Sequence, residues 1–452
     1  MEFERILKRH HVVAFAFGAI MGWSWVLLTG LWIGEAGTLG AALAFAVAGI
    51  GMVLIALTYA ELASAMPKVG GEHVYTLRAF GPHVSFVCTW ALLLGYVSVV
   101  AFEVVALPFA LSYLFPAIKV GLLWQVAGWD VYAGQIAIGI AAALVLTTVN
   151  VWGISTAARL QGFVTVLILL SGAVLISGAS FSGGMDNMTP LFENGLTGTL
   201  SVLVMIPILF VGFDVIPQAA EEIDLPPARI GALVVFSVTA AAAFYVLIVL
   251  AVGYVLDPSA RAQSTLTTAD AAVAAWSGTW AGTVLVCGGI AGIITSWNAF
   301  LLAASRLIYA LASSRMLPSW LARLDDKHAS PARALWLICA ISCVAPWFGR
   351  SALVWLVNAG SVGVIIAYAV VALAFIVLRR QQPDLERPYR VPFGPVCGWL
   401  AFAFACAIAT LYLPWSPAAL LWPQEWMICG LWALGGAVMY LRTRMIGVHA
   451  AG

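Results

Sequence analysis

Charge is what this sequence has least of. Asp, Glu, Lys and Arg make up 9% of its 452 residues, against 63% hydrophobic residues and a mean hydropathy of +1.01. That balance over such a length excludes a soluble globular protein. Histidine is scarce as well. His10, His11, His73, His83, His328 and His449 all fall at the termini or at the edges of apolar runs, away from any nucleophile. This excludes an enzyme built on a nucleophile–base pair, and no catalytic residue is expected. Of the seven cysteines, Cys339 and Cys343 lie one helical turn apart, but no second pair accompanies them. All seven read as small apolar residues, with no metal site and no cofactor expected. A net charge of +1 gives a polyanion nothing to hold, so no nucleic-acid partner is expected. Rings of repeated acidic or carbonyl-rich motifs are absent too, which leaves a channel as a distant alternative.

What is present is a succession of apolar runs. A helical span needs about 20 residues, and we count twelve runs: 12–32, 38–65, 84–114, 131–152, 157–178, 198–218, 230–255, 280–311, 334–348, 352–378, 395–413 and 425–441. The fold class is an all-α polytopic membrane protein. With the N-terminus inside, all but Lys119, Arg261 and Arg350 of the 21 basic residues fall on the cytoplasmic side. The positive-inside rule explains that bias, and a miscounted helix would scramble it. Residues 1–11 and 442–452 therefore read as cytoplasmic tails of a multi-pass protein in a bacterial-type inner (plasma) membrane, monomeric or homodimeric in the bilayer. The first run is too long and too broken for a cleavable signal peptide.

Two runs are interrupted at their centres. The first holds Met21-Gly22-Trp23-Ser24-Trp25, and glycine weakens a helix interior by about 1 kcal/mol relative to alanine. The sixth places Phe210-Val211-Gly212-Phe213-Asp214 between Pro207 and Pro217, and each proline removes a backbone donor. Irregular backbone at membrane depth survives only where protein or a water-filled cavity satisfies it. Glycine packing between helices is the plainer alternative for the first run. Breaks five helices apart are what two five-helix repeats of opposite orientation predict, crossing at a shared midplane site. The expected repeats are 12–178 (helices one to five) and 198–378 (helices six to ten), with 395–441 adding helices eleven and twelve.

Glu103 lies deep in the third run, where a carboxylate costs on the order of 3 kcal/mol and faces the bundle interior. Tyr96, Val99 and Glu103 share one helical face. Asp214 needs a partner as well: a cationic substrate, a proton or helix-end amides. Glu72 to Phe80 reads as an amphipathic helix along the inner surface. Thr295, Ser296 and Trp297 make a polar cluster in the eighth run. Asn358 to Gly363 in the tenth is a small, polar patch that suits a moving gate or close helix packing.

Taken in order, five motifs resemble the amino acid–polyamine–organocation superfamily of permeases over nearly the whole chain. They are Gly18–Gly22 with Gly37, Pro67–Tyr75 with Ala79–Pro82, Phe210–Asp214 with Ala220–Glu222, Ser305–Ala310, and Arg387–Pro395. The resemblance implies a LeuT-type fold with a 5+5 inverted repeat and broken helices one and six. It also implies alternating access to a single site between helices one, three, six, eight and ten. Exposed amides of helix one would receive a substrate carboxylate at Met21 to Trp25, and helix-six carbonyls its amino group at Phe210 to Asp214.

The chain departs from the family at three places. Gly22-Trp23-Ser24 stands where relatives read Gly-Ser-Gly. Ile168 stands where many proton-coupled relatives carry a helix-five lysine. The helix-three acid of cationic amino acid carriers would fall near Gly95, two turns before Glu103. These departures favour a small amine-bearing cation, ethanolamine-like or polyamine-like, taken up by secondary active transport. A neutral or cationic amino acid is the alternative. Trp23, Trp25, Phe210, Phe213 and Trp297 form the expected aromatic box, each ring contributing about 0.5–2 kcal/mol to a cation, with Asp214 or Glu103 as counter-ion. The coupling candidates are Asp214, Glu103, Thr295, Ser296 and Ile168, with protons favoured over sodium.

Overall fold

The computed structural model describes residues 5, 7–264, 266–416 and 418–449; of the two expected tails, residues 1–4, 6 and 450–452 lie outside the described residues. Among the described residues, nine helices are long and apolar enough to cross a membrane. Three further segments bring the total to the twelve expected: an interrupted one at 195–218, the short Ala332–Phe348, and the C-terminal helix. The molecule is a polytopic membrane protein of the all-α class, with one short β-hairpin outside its helices. Its outward faces carry exposed Ile50, Phe163 and Leu431, as a surface dissolved in lipid requires.

The first segment is split into α1 (Arg9–Ile20), α2 (Ser24–Leu27) and α3 (Thr29–Ala36). Gly37 then turns the chain at φ +76°, where a Cβ would stand 2.7 Å from the Leu191 carbonyl, so only glycine fits. α4 (Thr38–Ala65), α5 (Glu72–Phe80) and α6 (Pro82–Leu114) follow. A two-stranded hairpin of β1 (Leu122–Val126) and β2 (Trp129–Tyr132) comes next; no apolar periodicity marks it in the sequence. After it run α7 (Ala133–Val151) and α8 (Ile154–Phe181). The second interrupted segment comprises α9 (Gly195–Leu203), α10 (Ile206–Leu209) and α11 (Val215–Gln218). Then come α12 (Pro227–Val255), α13 (Pro258–Gln263), α14 (Thr267–Trp276) and α15 (Thr279–Ser313). α16 (Ala332–Ser342), α17 (Ser351–Gln381), α18 (Gly394–Leu411) and α19 (Gln424–His449) complete the chain. In the core α4 packs on α12, α6 on both α15 and α17, and α8 on α15.

At the end where Leu7 pairs with Ile223 and Tyr440 of α19 meets His83, hereafter the termini end, polar groups lock the helices together. Glu61 accepts from Arg379 Nε at 2.7 Å, Arg387 Nε at 3.1 Å and the Val391 amide at 2.8 Å. Glu222 holds Arg306 through two bonds of 2.9 and 3.1 Å, both side chains buried.

The expected surface helix α5 is instead docked into the bundle, with Glu72, His73, Tyr75 and Thr76 all buried. The reason is polar pairing. His73 bonds Ser85 at 2.9 Å and Ser314 at 2.7 Å, and burial pushes its pKa down to about 4, so the ring stays neutral.

Candidate functional site

Both expected breaks are present. α1 ends at Ile20 and the helix resumes at Ser24; α10 ends at Leu209 and α11 begins at Val215. In the second, Gly212 adopts φ +134°, where a Cβ would meet Ala19 Cβ at 2.7 Å and the Ile20 amide at 2.8 Å. The two breaks therefore touch, and only glycine allows that approach. Tyr245 of α12 fastens them: its hydroxyl lies 3.0 Å from the Ile20 carbonyl, 3.3 Å from that of Leu209 and 3.1 Å from Ser24 Oγ. Freed carbonyls of both breaks thus find a partner inside the protein.

Beside the first break lies a cavity of about 40 Å³, walled by Gly22, Trp23, Val99, Glu103, Ser296 and Phe300, among others. Ligand pockets run to about 300–1,000 Å³, so an organic substrate must spread these walls. Glu103 is buried, and its Oε1 accepts from Ser296 Oγ. A Cβ placed on Gly22 would stand 3.1 Å from that same Oε1 and 3.1 Å from Ser296 Oγ. Among the described residues, Oε2 of Glu103 has no hydrogen-bond partner. The chain thus sets a carboxyl group of its own directly against the glycine of the helix-one break.

Trp23 is the wall between this cavity and a second one of about 560 Å³ at the hairpin end, lined by Leu27, Phe109, Lys119, Asp130 and Arg350. A third cavity, of about 730 Å³, opens at the termini end beside Lys68, His73, Arg78 and Tyr309. A small central chamber between two larger vestibules is the geometry of a carrier that exposes its site to one side at a time.

Asp214 belongs to a different cluster. Its Oδ1 accepts from the Gly212 amide at 2.8 Å and its Oδ2 from the Tyr368 hydroxyl at 3.3 Å. Nearby, Glu72 Oε2 accepts from Gln218 Nε2, four residues after Asp214. Burial, and then the charge of Asp214, push the Glu72 carboxyl well above the usual carboxylate range.

Of the residues expected at the site, Gly22, Trp23, Ser24, Val99, Glu103 and Ser296 line the central cavity. The expected aromatic box does not assemble there. Trp25 packs edge-on against Phe244, Phe210 lies beside Tyr245, and Phe213 sits between Tyr59 and Tyr368. Met21, Trp297 and Tyr96 are buried outside the cavity lining, Tyr96 against Phe300. Thr295 spends its hydroxyl on the carbonyls of Gly18 and Gly292, both at 2.8 Å. Ile168 is fully buried; the α8 groups that reach α1 are Gln161 and Thr165, 3.2 and 3.3 Å from the Ala14 carbonyl. The residues that sequence reasoning missed are Tyr245, Glu72 and Gln218. A tyrosine in the middle of a mostly apolar run is a faint signal for the first; the glycines before Glu72 read as a turn.

Two broken helices crossing at a buried chamber, framed by a vestibule at each end, define a membrane carrier. The model of the family described as "Amino acid permease" matches residues 7–435, and the chain belongs to that family, within the amino acid–polyamine–organocation superfamily. It is 26% identical to the branched-chain amino acid permease BcaP of Bacillus subtilis over 95% of this chain and 92% of that one. It is 25% identical to the methylthioribose transporter of the same organism, over 90% and 92% of the two chains. Identity is again 25% to its aspartate-proton symporter, over 90% and 79%.

Proposed function

We propose that this chain is a secondary active transporter that takes up a small amine-bearing organic cation, ethanolamine-like or polyamine-like, by alternating access. The observation that carries the reading is Glu103. The family resemblance implies that the amides of broken helix one face a substrate carboxylate; here a protein carboxyl already stands against Gly22. An ammonium group meets there an acceptor, Oε2, that has no hydrogen-bond partner among the described residues, and the Glu103 carboxylate that forms beside it would repel a second carboxylate.

The packing supports two repeats, 12–178 and 198–378. Exchanging their helices in order turns the α6–α17 contact into the α15–α8 contact and leaves the α4–α12 and α6–α15 contacts unchanged. With the basic loops inside, the termini end is cytoplasmic in a bacterial-type inner membrane. Protons are the favoured coupling ion. Carbonyl oxygens that could ligate sodium, those of Gly18 and Gly292, already accept from the Thr295 hydroxyl, and one relative is named an aspartate-proton symporter.

A second reading, an amino acid permease, is favoured by the names of most of the relatives. It requires Glu103 to be protonated, so that it donates to a carboxylate instead of repelling it. Counterflow in proteoliposomes separates the two. With ethanolamine inside, labelled ethanolamine should accumulate, unlabelled putrescine should compete, and serine and leucine should not. Accumulation of serine or leucine with no amine flux would reject the amine reading.

A further inference from the structure

We propose that Glu72 and Asp214 together form a proton-binding site that couples transport to the proton gradient, with α5 as the element that responds. This rests on the carrier reading above and adds to it the ion's binding site.

Glu72 and Asp214 are both fully buried. Around them stand Tyr59 of α4, Tyr75 of α5, Cys88 and Tyr96 of α6, and Tyr368 of α17. Gln218 of α11 adds an amide, and His73 is turned away onto Ser85 and Ser314. Among the described residues no Lys or Arg pairs with either carboxyl; the ion pairs of Arg306, Arg379 and Arg387 are made with Glu222 and Glu61. Two buried carboxyls without a cation cannot both ionise, so the pair retains at least one proton. The upward push on Glu72 agrees with this. Among the described residues Glu72 Oε1, moreover, has no hydrogen-bond partner, so the cluster has an unused carboxyl oxygen where a proton can be held, and Gln218 Oε1 is an acceptor without a partner there as well.

The placement gives the proton something to move. Glu72 is the first residue of α5, and Gly71 before it lies against Pro217, where a Cβ would be 2.9 Å from Pro217 Cβ. Asp214 precedes α11, the half-helix that leaves the second break, and Gln218 ends it. While the proton is held, the two elements stay joined through Glu72 and Gln218. Its loss leaves two carboxylates in one buried cluster, and their repulsion drives α5 from α11 against the Gln218–Glu72 bond, opening the chamber toward the vestibule beside His73. Protonation from the other side restores the seal.

The test uses the full chain in proteoliposomes, with labelled ethanolamine and labelled leucine as probes. In each variant the flux driven by an inward proton gradient is divided by the equilibrium exchange flux. In Glu72→Gln this ratio should fall about tenfold or more, within the usual span of coupling. A merely structural role lowers both fluxes together and leaves the ratio unchanged, and that result overturns the proposal. So does uptake that follows a sodium gradient. A substrate-free arm covers the case in which neither probe is carried. Infrared spectra of the purified protein should contain a carboxylic-acid C=O band that Glu72→Gln or Asp214→Asn removes and Glu103→Gln does not. Absence of such a band in the wild-type protein overturns the site whatever the substrate is.

Discussion

Glu103→Gln should cost the carrier about 2–5 kcal/mol of affinity for ethanolamine or any small amine, roughly thirty- to several-thousand-fold. The substitution keeps the shape of the side chain and an oxygen for Ser296, whose hydroxyl now bonds Glu103 Oε1. What it removes is the charge, in a chamber of about 40 Å³ where little water remains to screen it. The same change should improve the binding of an amino acid, because the carboxamide donates a hydrogen bond toward the place where Oε2 now stands unpartnered. Isothermal titration of the two proteins with ethanolamine and with serine measures both effects. A Glu103→Gln protein that binds ethanolamine as tightly as wild type leaves Glu103 as packing only.

The second large effect concerns the seal at the termini end. Glu222→Ala should destabilise the protein by about 3–5 kcal/mol, because it removes both bonds that Glu222 makes to the buried Arg306 guanidinium. The double variant Glu222→Ala/Arg306→Met should be less damaged than the single one, since it removes the buried positive charge as well. Thermal unfolding in detergent, read as loss of monodisperse protein, ranks the three. A double variant worse than either single change would show that the pair contributes net attraction beyond its desolvation cost. The pair also ties the segment after α11 to α15, beside the point where Leu7 pairs with Ile223. Its loss should therefore free the second half of the broken sixth segment to move.

Much of this architecture is legible in the chain because membrane physics leaves few options. Each span must satisfy its own backbone, so length and hydropathy reveal it, and Gly22, Pro207, Gly212 and Pro217 mark the places where a span cannot continue. Glu103 and Asp214 stand out for the cost of their burial. What the chain conceals is direction. Past a break, side chains no longer follow a period of 3.6, so the rings of Trp25, Phe210 and Phe213 point away from the chamber despite their spacing. The position of Glu103 against Gly22 depends on how the break of one helix meets the face of another, and no local pattern encodes that. Glu72 was hidden by its context. A nine-residue amphipathic helix reads as lying on a surface, yet here its polar groups face inward to Gln218, Ser85 and Ser314.

A substrate also cannot be inherited from relatives that share about a quarter of their residues with this chain. Those relatives are named for branched-chain amino acids, a methylthioribose and aspartate. Discrimination must come from the few side chains at the chamber, and Glu103 is the one whose charge selects between an ammonium and a carboxylate. The most direct measurement is a thermal-shift comparison of the purified wild-type protein with paired ligands, each amino acid beside the amine left by its decarboxylation. A ligand that binds only the folded state stabilises it by RT ln(1 + [L]/Kd). Ethanolamine or another amine should raise the transition while its parent amino acid leaves it unmoved. A rise with serine or leucine and none with their amines would mean that the helix-one amides still hold a substrate carboxylate, and that Glu103 does not take its place.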